Sequence, residues 1–79
     1  MTETQDPIAA AISNALETYF EHLDGESPTG IYDMVLSRVE KPLLTIVMRE
    51  AENNQTRAAD MLGINRNTLR KKLTEHGLL

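Results

Sequence analysis

The stretch Asn54–Leu79, NQTRAADMLGINRNTLRKKLTEHGLL, decides the fold. Asn53-Asn54-Gln55-Thr56 supplies cap residues for a short helix that begins at Gln55 or Thr56 and ends at Leu62, where Gly63 provides the turn. Asn65 then caps a further helix over about Arg66 to Glu75, and Gly77 follows it as a left-handed stop. Two short helices that cross steeply need small residues where they touch, a turn residue tolerant of positive φ, and apolar residues that lock the second helix down. Ala58 and Ala59 are the small residues, Gly63 stands four after Ala59, Leu62 and Ile64 flank the turn, and Leu69 and Leu73 form the inward stripe. The pattern is that of a helix-turn-helix.

Opposite that stripe the sequence puts Asn67, Thr68, Lys71 and Thr74, with Asn65 and Arg66 at the leading tip. A recognition helix presents its N-terminal end to base edges, where Arg bonds guanine bidentately and Asn bonds adenine. Asn65 and Arg66 are therefore the candidates for base contact. Arg70, Lys71 and Lys72 lie further along, where they would meet phosphates, or alternatively complement the dipole at the helix C-terminus. Asn54, Thr56 and Arg57 open the preceding helix and can offer side chains and amides to a phosphate, although Asn54 reads equally as a cap alone.

Charge follows the same division. The whole chain carries a net charge of -4, yet residues 1–53 hold three bases (Arg38, Lys41, Arg49) against ten acids, while residues 54–79 hold five (Arg57, Arg66, Arg70, Lys71, Lys72) against Asp60 and Glu75. An acidic body with a basic end suits a nucleic-acid partner, against the plainer reading of chance clustering.

Upstream, Asp6-Pro7 opens a helix, since Asp accepts from free backbone donors and Pro needs none at the first position. Ile8, Ile12, Ala15, Leu16, Tyr19, Phe20 and Leu23 fall on one arc of it, and Gly25 ends it. Residues 24–30, DGESPTG, make the one long loop. Thr29 is expected to cap a second helix from Gly30 or Ile31 to about Ala51. Its broad face is Ile31, Tyr32, Val35, Leu36, Val39, Leu43, Ile46 and Val47, with Met34, Leu44 and Met48 on the other side. A helix apolar on nearly two faces is buried between partners. Pro42 removes a backbone bond within it, so a kink is expected in preference to a break. A 79-residue chain with no cysteine buries only about 60–65% of its unfolded surface and has no staple, which leaves association with a second copy to supply the missing burial.

The run Asn54-Gln55-Thr56-Arg57-Ala58-Ala59, then Leu62-Gly63-Ile64-Asn65-Arg66, then Thr68-Leu69-Arg70-Lys71-Lys72-Leu73 closely resembles the Fis (factor for inversion stimulation) family of bacterial nucleoid-associated proteins. The resemblance continues upstream through Ala15-Leu16, Tyr19-Phe20, Leu23, Gly25, Tyr32, Val35-Leu36, Val39-Glu40 and Pro42-Leu43-Leu44, covering nearly all of the chain from Ile8. It implies an all-α homodimer of four-helix subunits, in which the first two helices intertwine into a shared core and the last two form the helix-turn-helix. It also implies a kink at Pro42. Recognition helices closer together than one turn of DNA would require the duplex to bend, so that deformability supplies most of the specificity. By the family pattern Asn65, Arg66 and Lys71 lie at the bases, and Asn54, Thr56, Arg57, Thr68, Arg70 and Lys72 near the backbone.

The resemblance has three departures. Six residues precede Pro7, where members that stimulate recombination carry a hairpin arm, so that activity is not expected. Thr74-Glu75-His76 replaces a basic helix end and should weaken binding, and Asn67 stands where a small residue is common, which alters the expected sequence preference.

The expected organisation is one domain over residues 1–79, with a flexible N-terminus at 1–6, dimerisation helices at 7–52 and the DNA-binding region at 53–79. The expected function is a DNA-bending transcription regulator of low sequence specificity. Its expected partners are double-stranded DNA, a second copy and RNA polymerase, with no small-molecule substrate, cofactor or catalysis. The alternative is a dimerisation or recruitment module whose helix-turn-helix contacts protein. Met1–Asp6 carries no basic run and no apolar stretch approaches the roughly 20 residues of a membrane span, so a cytoplasmic, nucleoid location is expected. His22 and His76 lack the neighbours of a metal site and read as solvated; the Asn54-Gln55-Thr56 glycosylation match reads as accidental, and the methionines as packing filler.

Overall fold

The computed structural model describes residues 6–79, so the expectation of a flexible N-terminus falls outside it except at Asp6. Four helices follow in order: α1 (Pro7–Glu21), α2 (Ile31–Glu50), α3 (Gln55–Leu62) and α4 (Arg66–Glu75). No strand occurs among the described residues, and the class is all-α. No helix is long and apolar enough to cross a membrane.

Each boundary has a local cause. Asp6 Oδ1 accepts from the Ile8 amide at 3.2 Å, and Pro7 occupies the first helical position. α1 stops at Glu21, sooner than the expected end at Gly25. His22 caps it, with its ring Nδ1 2.9 Å from the Thr18 carbonyl oxygen and its own amide turned back to Tyr19. Thr29 does not cap α2. That position belongs to Gly30, whose φ of 68° is a left-handed conformation easy only for glycine, and no side chain closes this helix start.

α2 runs unbroken through Pro42. Proline there removes one amide donor, yet its neighbours keep the helix, and Thr45 donates its hydroxyl to the Lys41 carbonyl at 2.8 Å, a back-bond of the kind that bends helices. The exit from α2 has no glycine. Glu52 and Asn53 both take left-handed φ values, 56° and 64°, so that the Glu52 and Asn53 amides can close on Arg49 and Met48. By contrast the expected glycine after α3 is where it should be. Gly63 at φ 77° lets its own amide reach Asp60 and the Ile64 amide reach Ala59.

The core is small and lies around the last two helices. Ala58 and Ala59 of α3 and Leu69 and Leu73 of α4 are buried as expected, and Leu62 and Ile64 pack against them. Two residues from outside the helix-turn-helix complete the core: Leu44 of α2 and Ala51 just after it, with Val47 and Met48 packed alongside. Thus α2 docks the helix-turn-helix with the side carrying Leu44 and Met48, and Val47, expected on the opposite face, turns with them.

The N-terminal half is built differently. α1 buries no residue, and it meets α2 across a cleft of about 230 Å³ between Ile12, Leu16 and Tyr19 on one side and Met34, Val35 and Val39 on the other. Tyr32, Leu36, Leu43 and Ile46 form a third stripe on α2 that none of the described residues covers, and Phe20 of α1 is also half exposed.

Candidate nucleic-acid interface

With Leu69 and Leu73 turned inward, the 100° step of an α-helix puts Asn67, Lys71 and Thr74 opposite them and Arg70 at the flank, while Arg66 owes its exposure to its place in the first turn of α4; all five are exposed. Thr68 lies on the other side of Lys71 and is half-buried. Among the described residues neither Arg66 nor Lys71 makes an ion pair or a side-chain hydrogen bond, so both cations are free for a ligand. Arg70 reaches Gln55 Oε1 at 3.4 Å. Though long, that contact sets the middle of α4 beside the first turn of α3, where Thr56 and Arg57 are exposed and, among the described residues, the Gln55 and Thr56 amides have no acceptor. Arg57 too is without an ionic partner among the described residues.

Asn54 and Asn65 are both caps in this structure. Asn54 Oδ1 accepts from the Arg57 amide at 3.1 Å, and Asn65 Oδ1 accepts from the Thr68 amide at 2.7 Å. A bidentate contact to adenine needs the side-chain oxygen as well as the nitrogen. For Asn65 one lone pair of that oxygen holds the Thr68 amide, which fixes the side chain's orientation while a second lone pair and Nδ2 remain, and Arg66 beside it at the tip makes no side-chain hydrogen bond among the described residues.

Lys72 and His76 face the other way. They are one turn apart on the side of α4 nearest α2, and both meet Glu40: Lys72 Nζ lies 2.7 Å from Oε2 and His76 Nε2 2.9 Å from Oε1. The His76 side chain is only 11% exposed, so this residue, expected in solvent, is instead a structural ligand of the α2 carboxylate. Sequence spacing shows that Lys72 and His76 share a face; nothing in it shows which acid they meet.

Hydrogen bonds from Lys72 and then His76 hold the Glu40 carboxyl below the usual glutamate range, and the same contact raises the Lys72 ammonium. A depressed carboxyl stabilises the fold at pH values above the unfolded glutamate value, and that contribution is lost as pH falls through the lower folded value. The raised Lys72 contributes up to the ordinary lysine range and loses its part only in strong alkali. On acidification from pH 7 to pH 3, the thermal midpoint should therefore fall further for the parent than for Glu40→Gln, the gap between them closing in the carboxylate range. Equal slopes for the two proteins would contradict the assignment.

No group of histidine, cysteine and carboxylate able to hold a metal occurs among the described residues.

Residues 35–76 match the profile of bacterial regulatory proteins of the Fis family. The chain is 59% identical over 76 residues to a protein of Ralstonia nicotianae described as a Fis-like DNA-binding protein, the match covering 96% of this chain and 99% of that one. It is 56% identical over 79 residues, the full length of both, to a protein of Neisseria meningitidis with the same description. It is also 52% identical over 75 residues to the DNA-binding protein Fis of Actinobacillus succinogenes, covering 95% of this chain and 76% of that protein.

Proposed function

Because the chain belongs to the Fis family of bacterial regulatory proteins, we propose that it is a homodimeric, DNA-bending transcription regulator of low sequence specificity that inserts α4 into the major groove. The observation that carries this reading is the exposed surface of α4, where Arg66, Arg70 and Lys71 stand with Asn67 and Thr74. In it Arg66 reads base edges with help from the Asn65 amide and Asn67. Lys71 lies close to the bases, and Arg57, Thr56, Asn54, Thr68 and Arg70 hold the backbone. Residues 7–52 serve as the dimerisation helices and residues 53–79 as the DNA-binding region, in the cytoplasmic nucleoid. Contact with RNA polymerase belongs to the same proposal, and no step of it calls for a cofactor or for catalysis.

The unpaired stripe Tyr32, Leu36, Leu43 and Ile46 supports a second copy. Bending follows from the family resemblance: two helix-turn-helices held too close for successive grooves on straight DNA reach them only when the duplex curves.

Salt dependence tests the phosphate contacts. With about six to eight phosphates neutralised per dimer, duplex affinity should fall by about 10³–10⁴ between 50 and 200 mM salt, and a flat response would end the reading. Arg66→Ala should weaken binding by about ten- to a hundredfold and relax preference at one base position, measured by binding-site selection. Full regulatory function with Arg66→Ala would point instead to a helix-turn-helix that contacts protein. A circular-permutation mobility assay reads the bend directly.

A further inference from the structure

The sequence pattern groups Lys72 with Arg70 and Lys71 as a cation for the DNA backbone, but its position on α4 separates it from them. At 100° per residue, Arg66, Arg70, Thr74, Asn67 and Lys71 run in order from one flank of the inward leucines round to the opposite pole, and Lys72 falls 100° past Lys71, on the other flank of the leucines, where Glu40 lies. Its ammonium is already within 2.7 Å of Glu40, and the other Glu40 oxygen holds His76. Glu40 itself is one turn before Leu44, whose side chain is fully buried among Leu69, Leu73 and the α3 alanines. Ionic and apolar contacts between α2 and α4 are therefore stacked on one stripe, the first at the end of α4 and the second along its middle.

We propose that Lys72 is not a phosphate ligand but one arm of a brace, in which Glu40 grips Lys72 and His76 and so sets the angle of α4 against α2. Glu40 is then a positioning residue for the DNA interface, although it lies in the dimerisation helix. This rests on the DNA-binding reading only for its consequence, since the brace itself exists without a ligand. Both arms donate to the carboxylate: the ammonium as a cation, and the imidazole through Nε2–H, the proton position that an ionised carboxylate as acceptor requires. The arrangement explains why a chain with Thr74-Glu75-His76 at the helix end keeps Lys72, since its cation serves the fold rather than the ligand.

Two measurements test it. In duplex titrations over 50–200 mM salt, Lys72→Met should keep the parent salt slope, whereas Arg70→Met should flatten it by about 0.9 per protomer. A Lys72→Met slope flatter by the same amount would overturn the proposal. In DNA-free thermal melts, Glu40→Lys and Lys72→Glu should each lower the midpoint by about 4–8 °C, and the exchange Glu40→Lys/Lys72→Glu should recover most of that loss. Purely additive losses would also overturn it. If the parent binds no duplex at all, the DNA-binding reading fails while the melts still decide the brace. If the parent binds and the exchange restores both midpoint and affinity, Lys72 acts through Glu40.

Discussion

Leu69→Ala is expected to lower the unfolding free energy by about 2–5 kcal/mol and the thermal midpoint by about 10–30 °C, measured by circular dichroism at fixed protein concentration. Leu69 is completely buried, and its neighbours are two alanines on α3, Leu73 on its own helix and Leu44 on α2. Alanines have no side-chain atoms beyond Cβ with which to fill the space, and the short Gly63 turn keeps α3 and α4 from sliding together. The cavity would thus stay open, which places the cost at the upper end of the range. A core of six buried residues has no reserve against such a loss. Leu69→Met, which conserves volume, should cost under about 1.5 kcal/mol. A Leu69→Ala midpoint within a few degrees of the parent would mean that the helix-turn-helix core is not the source of the stability.

The second large effect concerns the stripe on α2. Leu36 is 47% exposed in the chain, Leu43 44% and Ile46 48%. If a second copy covers them, Leu36→Glu acts twice in a two-fold interface, removing apolar burial and bringing an unpaired carboxylate into each half. At about 2–3 kcal/mol per copy the dissociation constant should rise by roughly 10³–10⁴-fold, measured by sedimentation equilibrium. The parent midpoint should also fall on dilution, because folding and association are linked. A midpoint constant over two decades of concentration, with Leu36→Glu unchanged in mass and stability, would remove the dimer.

The helix-turn-helix was legible because its determinants are local. Asn54 and Asn65 cap the helices they precede, Gly63 takes the positive φ the turn demands, and the paired alanines sit where two helices cross. What was not legible depends on distance along the chain. Leu44 looks like any apolar residue of a broad-faced helix until α3 and α4 are seen to pack on it, and the 32 residues between Glu40 and Lys72 hide their contact. At the α2 exit Asn53 is a residue type that takes left-handed backbone readily, but Glu52 before it is not, and nothing local signals its φ of 56°. The start of α2 failed for the opposite reason: Thr29 is a good cap by type, but the neighbouring glycine takes the position. Asn65 is a cap by type and in the structure, where its side-chain oxygen accepts from the Thr68 amide.

The three stripes of α2 give its length a meaning of its own. One stripe, Glu40, Leu44, Val47 and Ala51, takes the helix-turn-helix; a second, Met34, Val35 and Val39, takes α1; the third, Tyr32, Leu36, Leu43 and Ile46, is the one left uncovered. Because they share one rigid rod, their mutual orientation is a matter of helical phase. Adding one residue between Leu36 and Glu40 would turn all that follows, Leu43 and Ile46 with α3 and α4, by about 100° relative to Tyr32, Leu36 and α1 and shift it by about 1.5 Å, whereas adding four returns the phase to within about 40°. The aim of each recognition helix is thereby written in the residue count of a helix that need not touch the ligand.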